Sequence, residues 1–322
     1  MSDAPQGPDA GSSSSLPGPL RRLAAVRSWA STPTRRWIAY LVALALFVGS
    51  TVAAWNALPA DRAAIDWTLV ALAALLVLPG SLVNAEEYRV SARIVGQEVP
   101  MPAALRVSIV AAAFNLLPIP GSVLVRTRAL AKGGSTTSQA VTSTLAVGIV
   151  YIAVALVIVA AVQLADSPAS SAVLAVLGIG MGAAAAVVVR RVADGPIGSM
   201  LRWLVGVEAL SVVVKALRLY LTIRALGFDP SIAQATSLSM ATVAASAIGI
   251  FPGGLGIREL LSGLIAPAVD LPASVGLVGT SMDRVIGLTT LSVLAALVLF
   301  LTRERPGAEM DEVPAVPDTV EP

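Results

Sequence analysis

The stretch PGSVLVR at residues 120–126 has a near-copy, PGGLGIR, at residues 252–258. Proline, glycine and arginine recur in register, and a small residue follows each glycine. Each copy interrupts an apolar region: LPIPG breaks residues 102–131 and FPGG breaks residues 231–269. The surrounding composition decides what such a break means. Of 322 residues, 56% are hydrophobic and 13% charged, against about 25% charged in soluble domains. Such a chain cannot solvate its surface in water. Apolar runs of the roughly 20 residues that cross about 30 Å of hydrocarbon as helix predict an all-α polytopic membrane protein.

Full spans are expected at 37–56, 67–83, 139–164, 169–189, 203–223 and 273–302, with Trp37, Trp55, Trp67 and Trp203 at span ends, where aromatic rings favour the interface. The first 36 residues and residues 303–322 are polar, Pro-rich tails expected to be disordered. No cleaved signal peptide is expected. The transmembrane domain is thus 37–302. Clusters at Arg35/Arg36, Arg190/Arg191/Arg202 and Arg303/Arg305 favour both termini on the cytoplasmic side of a plasma membrane. If the first broken region crossed the bilayer, Arg126, Arg128 and Lys132 would lie outside, against that rule. If it enters and returns, they join Arg89, Arg93 and Arg106 inside. The second broken region then enters and returns from the outer side.

The two motifs stand 132 positions apart, from Pro120 to Pro252. The same offset carries 37–56 onto 169–188, 67–83 onto 199–215, and 139–164 onto 271–296. Each half, about 37–165 and 169–302, reads as span, span, broken hairpin, span. Three full spans per half is odd, so the halves face opposite ways. This is an inverted-topology repeat, an arrangement that places transporter sites at the midplane.

Broken backbone is costly in lipid unless protein or a wet cavity receives it. Proline, lacking an N–H, suits the first turn of a new helix, and glycine permits unusual angles and close approach. Each break therefore opens a fresh helix whose free N–H groups and positive dipole end suit an anion. Arg126 and Arg258 lie about one turn in. A plain hairpin turn with Arg126 snorkelling to headgroups is the competing reading. For Arg258, the adjoining Glu259 suggests a buried pair. Glu208, Lys215 and Arg218 share a helix. They form either a stripe facing the bundle interior or residues reaching the two interfaces. Asp283 and Arg284 in the last span read equally as an ion pair or a substrate site. Asn115 suits freed backbone, and Glu86, Glu87 and Arg89 read as a solvated loop edge. The candidate substrate-binding set is Pro252, Gly253, Gly254, Gly256, Arg258, Glu259, Gly121, Arg126, Lys215, Arg218, Asp283 and Arg284.

The chain has no cysteine and no histidine, which excludes disulfides, thiol or imidazole catalysis and His or Cys metal sites. No P-loop or nucleophile elbow occurs. A net charge of +2 implies no nucleic-acid partner. No cofactor and no metal are expected. The partners expected are membrane lipids with anionic headgroups, and envelope-biosynthesis enzymes.

FNLLPIPGSVLVRTRALAKGG, LRLYLTIRALGF, IGIFPGGLGIREL and SMDRVIGL resemble the lysylphosphatidylglycerol synthase transmembrane-region family, which includes the flippase half of the MprF proteins. FPGGLGIRE is similar to the family's Pro-Gly-Gly-Leu-Gly-x-x-Glu hairpin, pointing to Pro252, Gly253, Gly254, Gly256 and Glu259. Arg284 matches the arginine of the family's last helix. The helix after the first hairpin, VTSTLAVGIVY, lacks the Glu-Arg that many members carry there. No aminoacyl-transferase domain accompanies these spans, so synthesis of lysyl-lipid is not expected. The resemblance implies a non-enzymatic flippase or transporter for a lipid or lipid-linked glycan. A membrane-embedded transferase using Glu259, Asp283 or Glu208, and an accessory subunit of an envelope-synthesis complex, are the alternatives.

Overall fold

The computed structural model describes residues 65–114, 121–193, 197–248 and 256–303, with single positions between 41 and 56. No strand occurs among the described residues. Among them the α-helices with full bounds are, in order, α1 Trp67–Leu75, α2 Val77–Ile94, α3 Met101–Phe114, α4 Gly121–Lys132, α5 Thr137–Val162, α6 Pro168–Val192, α7 Ile197–Ala225, α8 Ile232–Ile248, α9 Ile257–Ile265 and α10 Ala273–Arg303. A 3-10 turn, Ala266–Val269, follows α9. Among the described residues, five stretches are long and apolar enough to cross a membrane: Trp67–Ile94, Thr137–Val162, Pro168–Val192, Ile197–Ala225 and Ala273–Leu297. The chain is an all-α polytopic membrane protein. Most of the span expected at 37–56, and the tails at 1–36 and 304–322, lie outside the described residues.

Local chemistry sets the helix ends. Asp66 Oδ1 accepts from Thr68 N at 2.9 Å and caps α1, using an N–H that the helix leaves unpaired. Thr136 and Gln139 form a capping box on α5, and Pro168 opens α6, where its missing N–H is harmless. The pause at Leu76 between α1 and α2 precedes Pro79, which cannot donate to the carbonyl of Leu75. Beyond it the helix runs to Ile94. The loop expected after Val83 is therefore helix, and Glu86, Glu87 and Arg89 belong to it. Ala85, Tyr88, Val90, Ala92 and Ile94 are buried along the extra turns, and their packing overrides the polarity of AEEYR.

The two broken regions fold as short helix pairs. At about 1.5 Å per residue, α3 and α4 are near 21 and 18 Å long, too short to span. They pack on each other. Gln97 Nε2, just after α2, donates to Leu130 O near the end of α4 at 2.8 Å. Both outer ends of this pair thus lie where α2 finishes. On the other pair, Gln234 Nε2 at the start of α8 donates to Val269 O just after α9 at 2.8 Å. Gln163 Nε2 at the end of α5 donates to Ser237 Oγ on α8 at 2.8 Å. The second pair therefore opens at the opposite end of the bundle. The tips, residues 115–120 and 249–255, lie outside the described residues.

Charge separates along the same axis. The end formed by α2, α4, α6 and the start of α7 exposes Arg93, Arg128, Lys132, Arg190, Arg191 and Arg202. The other end exposes Asp66, Asp166, Asp229 and Asp270, with Arg224 beside Asp229 at 3.5 Å. Between the ends, the helices approach through small residues, as helices do in lipid. A Cβ on Gly178 of α6 would lie 2.8 Å from Ala153 O of α5, and one on Gly276 of α10 would lie 2.5 Å from Ser262 O of α9.

Because the chain has no native cysteine, sidedness is directly measurable. Single cysteines at Lys132 and Asp270 are expected to label with an impermeant maleimide from opposite faces of sealed vesicles. Labelling of both from one face would refute the placement of the two helix pairs. Gly276→Ala is expected to lower stability by about 1–3 kcal/mol through overpacking, read from unfolding in detergent.

Candidate functional site

Gly256 caps the start of α9, and its φ of 79° suits a residue without a Cβ. The N–H of Gly256 donates to Glu259 Oε2 at 2.9 Å, so Glu259 closes the first turn of its own helix. Its other oxygen, Oε1, accepts from Arg284 Nε at 2.6 Å. Glu259 is fully buried, at 0% exposure. The buried partner of Glu259 is thus Arg284 on α10. Arg258, next to it in sequence, points to a different carboxylate: helix geometry sends successive side chains about 100° apart, so neighbours rarely pair.

That carboxylate is Asp283. Its Oδ1 accepts from Arg218 Nε at 2.6 Å and its Oδ2 from Arg218 Nη2 at 2.8 Å. Arg258 Nη2 donates to the same Oδ2. One carboxylate, 1% exposed, thus receives a bidentate guanidinium from α7 and a second guanidinium from α9. Bidentate arginine–carboxylate pairs are among the stronger polar contacts. Gly287, one turn after Asp283, leaves space for the Arg218 head: a Cβ there would lie 3.4 Å from Arg218 Nη1. Together Arg218, Arg258 and Arg284 face Asp283 and Glu259, three cations against two anions. Among the described residues the guanidinium groups outnumber the carboxylates by one, and the buried Nε of Arg258 donates to none of the described residues.

A second cluster lies nearer the basic end. Arg126 on α4 sits 3.3 Å from Glu87 Oε2 on α2 and donates to Asn84 O at 3.2 Å. This is an ion pair in the packed bundle, in place of the snorkelling alternative. Glu86 accepts from Arg89 Nη1 at 2.6 Å and from Trp203 Nε1 at 2.9 Å, which ties the indole of α7 to α2. Glu86 and Glu87 are each 8% exposed, so the solvated-edge reading is corrected. Lys215 holds its ammonium 4.0 Å from the Tyr151 ring centroid, at cation–π distance. Glu208 is 0% exposed, not at an interface.

Of the expected residues, the structure brings Arg218, Arg258, Glu259, Asp283 and Arg284 together, with Gly256 donating to Glu259 at the start of α9. It assigns Arg126 and Lys215 to the other cluster. Gly121 starts α4. Pro252, Gly253, Gly254 and Asn115 lie outside the described residues. The sequence reading missed Glu87 and Tyr151. Glu87 carried a usable signal: with Val83, Val90 and Ile94 it continues the helical period past the expected span end. Tyr151 carried none.

Residues 190–296 match the family described as Lysylphosphatidylglycerol synthase TM region. The match supports the family resemblance across α7, α8, α9 and most of α10, and covers every member of the Asp283 network. No curated protein matches the chain.

Removing one partner of a buried ion pair strands the other charge. Asp283→Ala leaves two guanidinium groups facing each other and is expected to cost about 3–5 kcal/mol, measured by denaturant unfolding in detergent. A loss under about 1 kcal/mol, the size for an exposed pair, would show that the network is solvated. Arg284→Ala should be milder when paired with Glu259→Gln, because the double change strands no ion.

Proposed function

We propose that this membrane protein translocates a lipid or lipid-linked molecule whose anionic headgroup enters the Arg218–Arg258–Asp283 network while its acyl chains remain in the bilayer. The observation that carries this reading is the buried Arg258 Nε, which has no acceptor among the described residues. Among those residues three guanidinium groups meet two carboxylates where charge is expensive to bury. A phosphate would supply the missing acceptor, and guanidinium groups suit it in a bidentate way. The family match over 190–296 agrees with a membrane domain of this kind.

Alternating access follows from treating the two halves as inverted repeats. Moved by the motif offset of 132, the stretch 67–94 falls on 199–226, beside α7 at Ile197–Ala225. Likewise α3 falls on 233–246, beside α8 at Ile232–Ile248, and α4 on 253–264, beside α9 at Ile257–Ile265. α5 falls on 269–294, within or beside α10 at Ala273–Arg303. The two helix pairs then enter from opposite faces, and rocking of one half against the other exposes the network alternately. The basic end faces the cytoplasm of a plasma membrane by the positive-inside rule, with both chain termini on that side.

Vesicles containing the full chain and a fluorescent phosphatidylglycerol report movement by the fraction of label that an impermeant quencher reaches. The wild type is expected to exceed empty vesicles. Arg258→Gln, which removes one or two charge-assisted contacts of about 1.5–3 kcal/mol, should slow movement about tenfold or more. Rates equal to empty vesicles across several anionic headgroups would sink the reading.

A further inference from the structure

Arg93 has no part in the sites described above. It lies in the last turn of α2, with Nη1 3.6 Å from Glu86 Oε1, beyond hydrogen-bond reach. Glu86 is engaged elsewhere: its Oε2 accepts from Arg89 Nη1 at 2.6 Å and its Oε1 from Trp203 Nε1 at 2.9 Å. Arg89 is held a second time, its Nε donating to Val99 O at 3.0 Å. The Arg93 side chain is 41% exposed, against 26% for Arg89 and 10% for Glu86. One buried carboxylate thus fixes an arginine and an indole, while a second guanidinium stands loosely beside them.

Helix length sets the level of this cluster in the bilayer. The stretch Trp67–Ile94 has 28 residues, and about 20 residues of helix cover the roughly 30 Å of hydrocarbon. Trp67 is exposed at the acidic end and marks one boundary, since aromatic rings favour the interface. Counted from it, the hydrocarbon ends near Glu87. Trp203 meets Glu86 at that second boundary, and Arg89 and Arg93 follow within two turns, in the headgroup layer. α2, α6 and α7 come together here through Ile94, Val189 and Leu204. Trp203 and Val205 are exposed on α7, and Arg190, Arg191 and Arg202 add exposed positive charge.

We propose that Arg93 and Arg89, with Trp203, form a binding site for an anionic phospholipid at the basic end of the bundle. Two guanidinium groups face one carboxylate, so a phosphate lowers the imbalance of charge. The fork of Arg93, loosely paired, is the group that receives it in a bidentate way. Arg89, fixed on Glu86 and Val99, supplies a second positive charge. The Trp203 indole, tethered at its N–H edge, leaves its ring for the glycerol and the first methylenes of the lipid. A free phosphate would meet the arginines and leave the indole uncovered, whereas a lipid occupies both. The site is separate from the Asp283 network and does not depend on the translocase reading.

A photoactivatable phosphatidylglycerol with a diazirine near its glycerol locates the site, in phosphatidylcholine vesicles holding the full chain. Cross-links are expected on α7 around Trp203, mapped by digestion and mass spectrometry. Arg93→Gln should reduce this labelling about tenfold or more, as the loss of one or two charge-assisted hydrogen bonds does. Because Arg93 is partly exposed and loosely paired, the variant should unfold like the wild type. Arg191→Gln, at the same end outside the cluster, should label like the wild type. Excess inorganic phosphate at matched ionic strength should leave the labelling in place. Equal loss in both variants, or equal labelling by a phosphatidylcholine analogue, would reduce the site to diffuse attraction by a basic surface and overturn it. Labelling absent from this part of α7, or abolished by inorganic phosphate, overturns it as well. Labelling here without any lipid movement upholds this site and rejects the translocase.

Discussion

Asp283 holds three helices to one point. Its two oxygens take a bidentate guanidinium from α7 and a further guanidinium from α9, while its backbone belongs to α10. In a bilayer no water relieves an unpaired ion, so these residues are stable only together. The broken helix pair of α8 and α9 depends on this. α9 has 9 residues, too few to be held by hydrophobic matching to the bilayer, and Arg258 and Glu259 on its first turn anchor it to α10, whose Asp283 also holds Arg218 of α7. Glu259 contributes twice, closing the turn at Gly256 and receiving Arg284.

α7 links the two halves. Arg218 leans to the Asp283 network, while Lys215, three residues earlier, leans to Tyr151, and Trp203 donates to Glu86 of α2. A change of charge at either cluster is therefore a force on one rigid helix. This gives the proposed rocking motion a physical basis: the helix is shared, the two clusters differ in composition, and a bound anion alters the balance between them. The chemistry of arginine suits the Asp283 network, where three guanidinium groups meet two carboxylates among the described residues. Its guanidinium groups delocalise charge and fork onto carboxylates, where an ammonium would be more strongly hydrated.

The membrane class and most helix positions are legible in the sequence because bilayer length and apolar composition act locally. α5, α6 and α10 begin or end within about three residues of their expected edges, well inside the usual boundary error. The two short helix pairs are also legible, from Pro–Gly breaks and the distribution of arginine. Partner choice inside the bundle is not. Glu259 reads as the partner of Arg258 in the sequence but pairs with Arg284, because a helix turns adjacent side chains to different neighbours. Glu86 and Glu87 read as a solvated edge because their polarity outweighs any local helical signal; only the packing of Tyr88, Val90 and Ile94 around them keeps α2 helical there.

The central claim is that an anionic headgroup is received by Arg218 and Arg258 at the Asp283 carboxylate. A cryo-electron microscopy map of the protein in nanodiscs containing phosphatidylglycerol tests it most directly. The account requires headgroup density in contact with the Arg258 guanidinium, with the Asp283 bridge loosened on the side the phosphate occupies. Headgroup density confined to the outer surface of the bundle, with all three arginines still on Asp283 and Glu259, would contradict it.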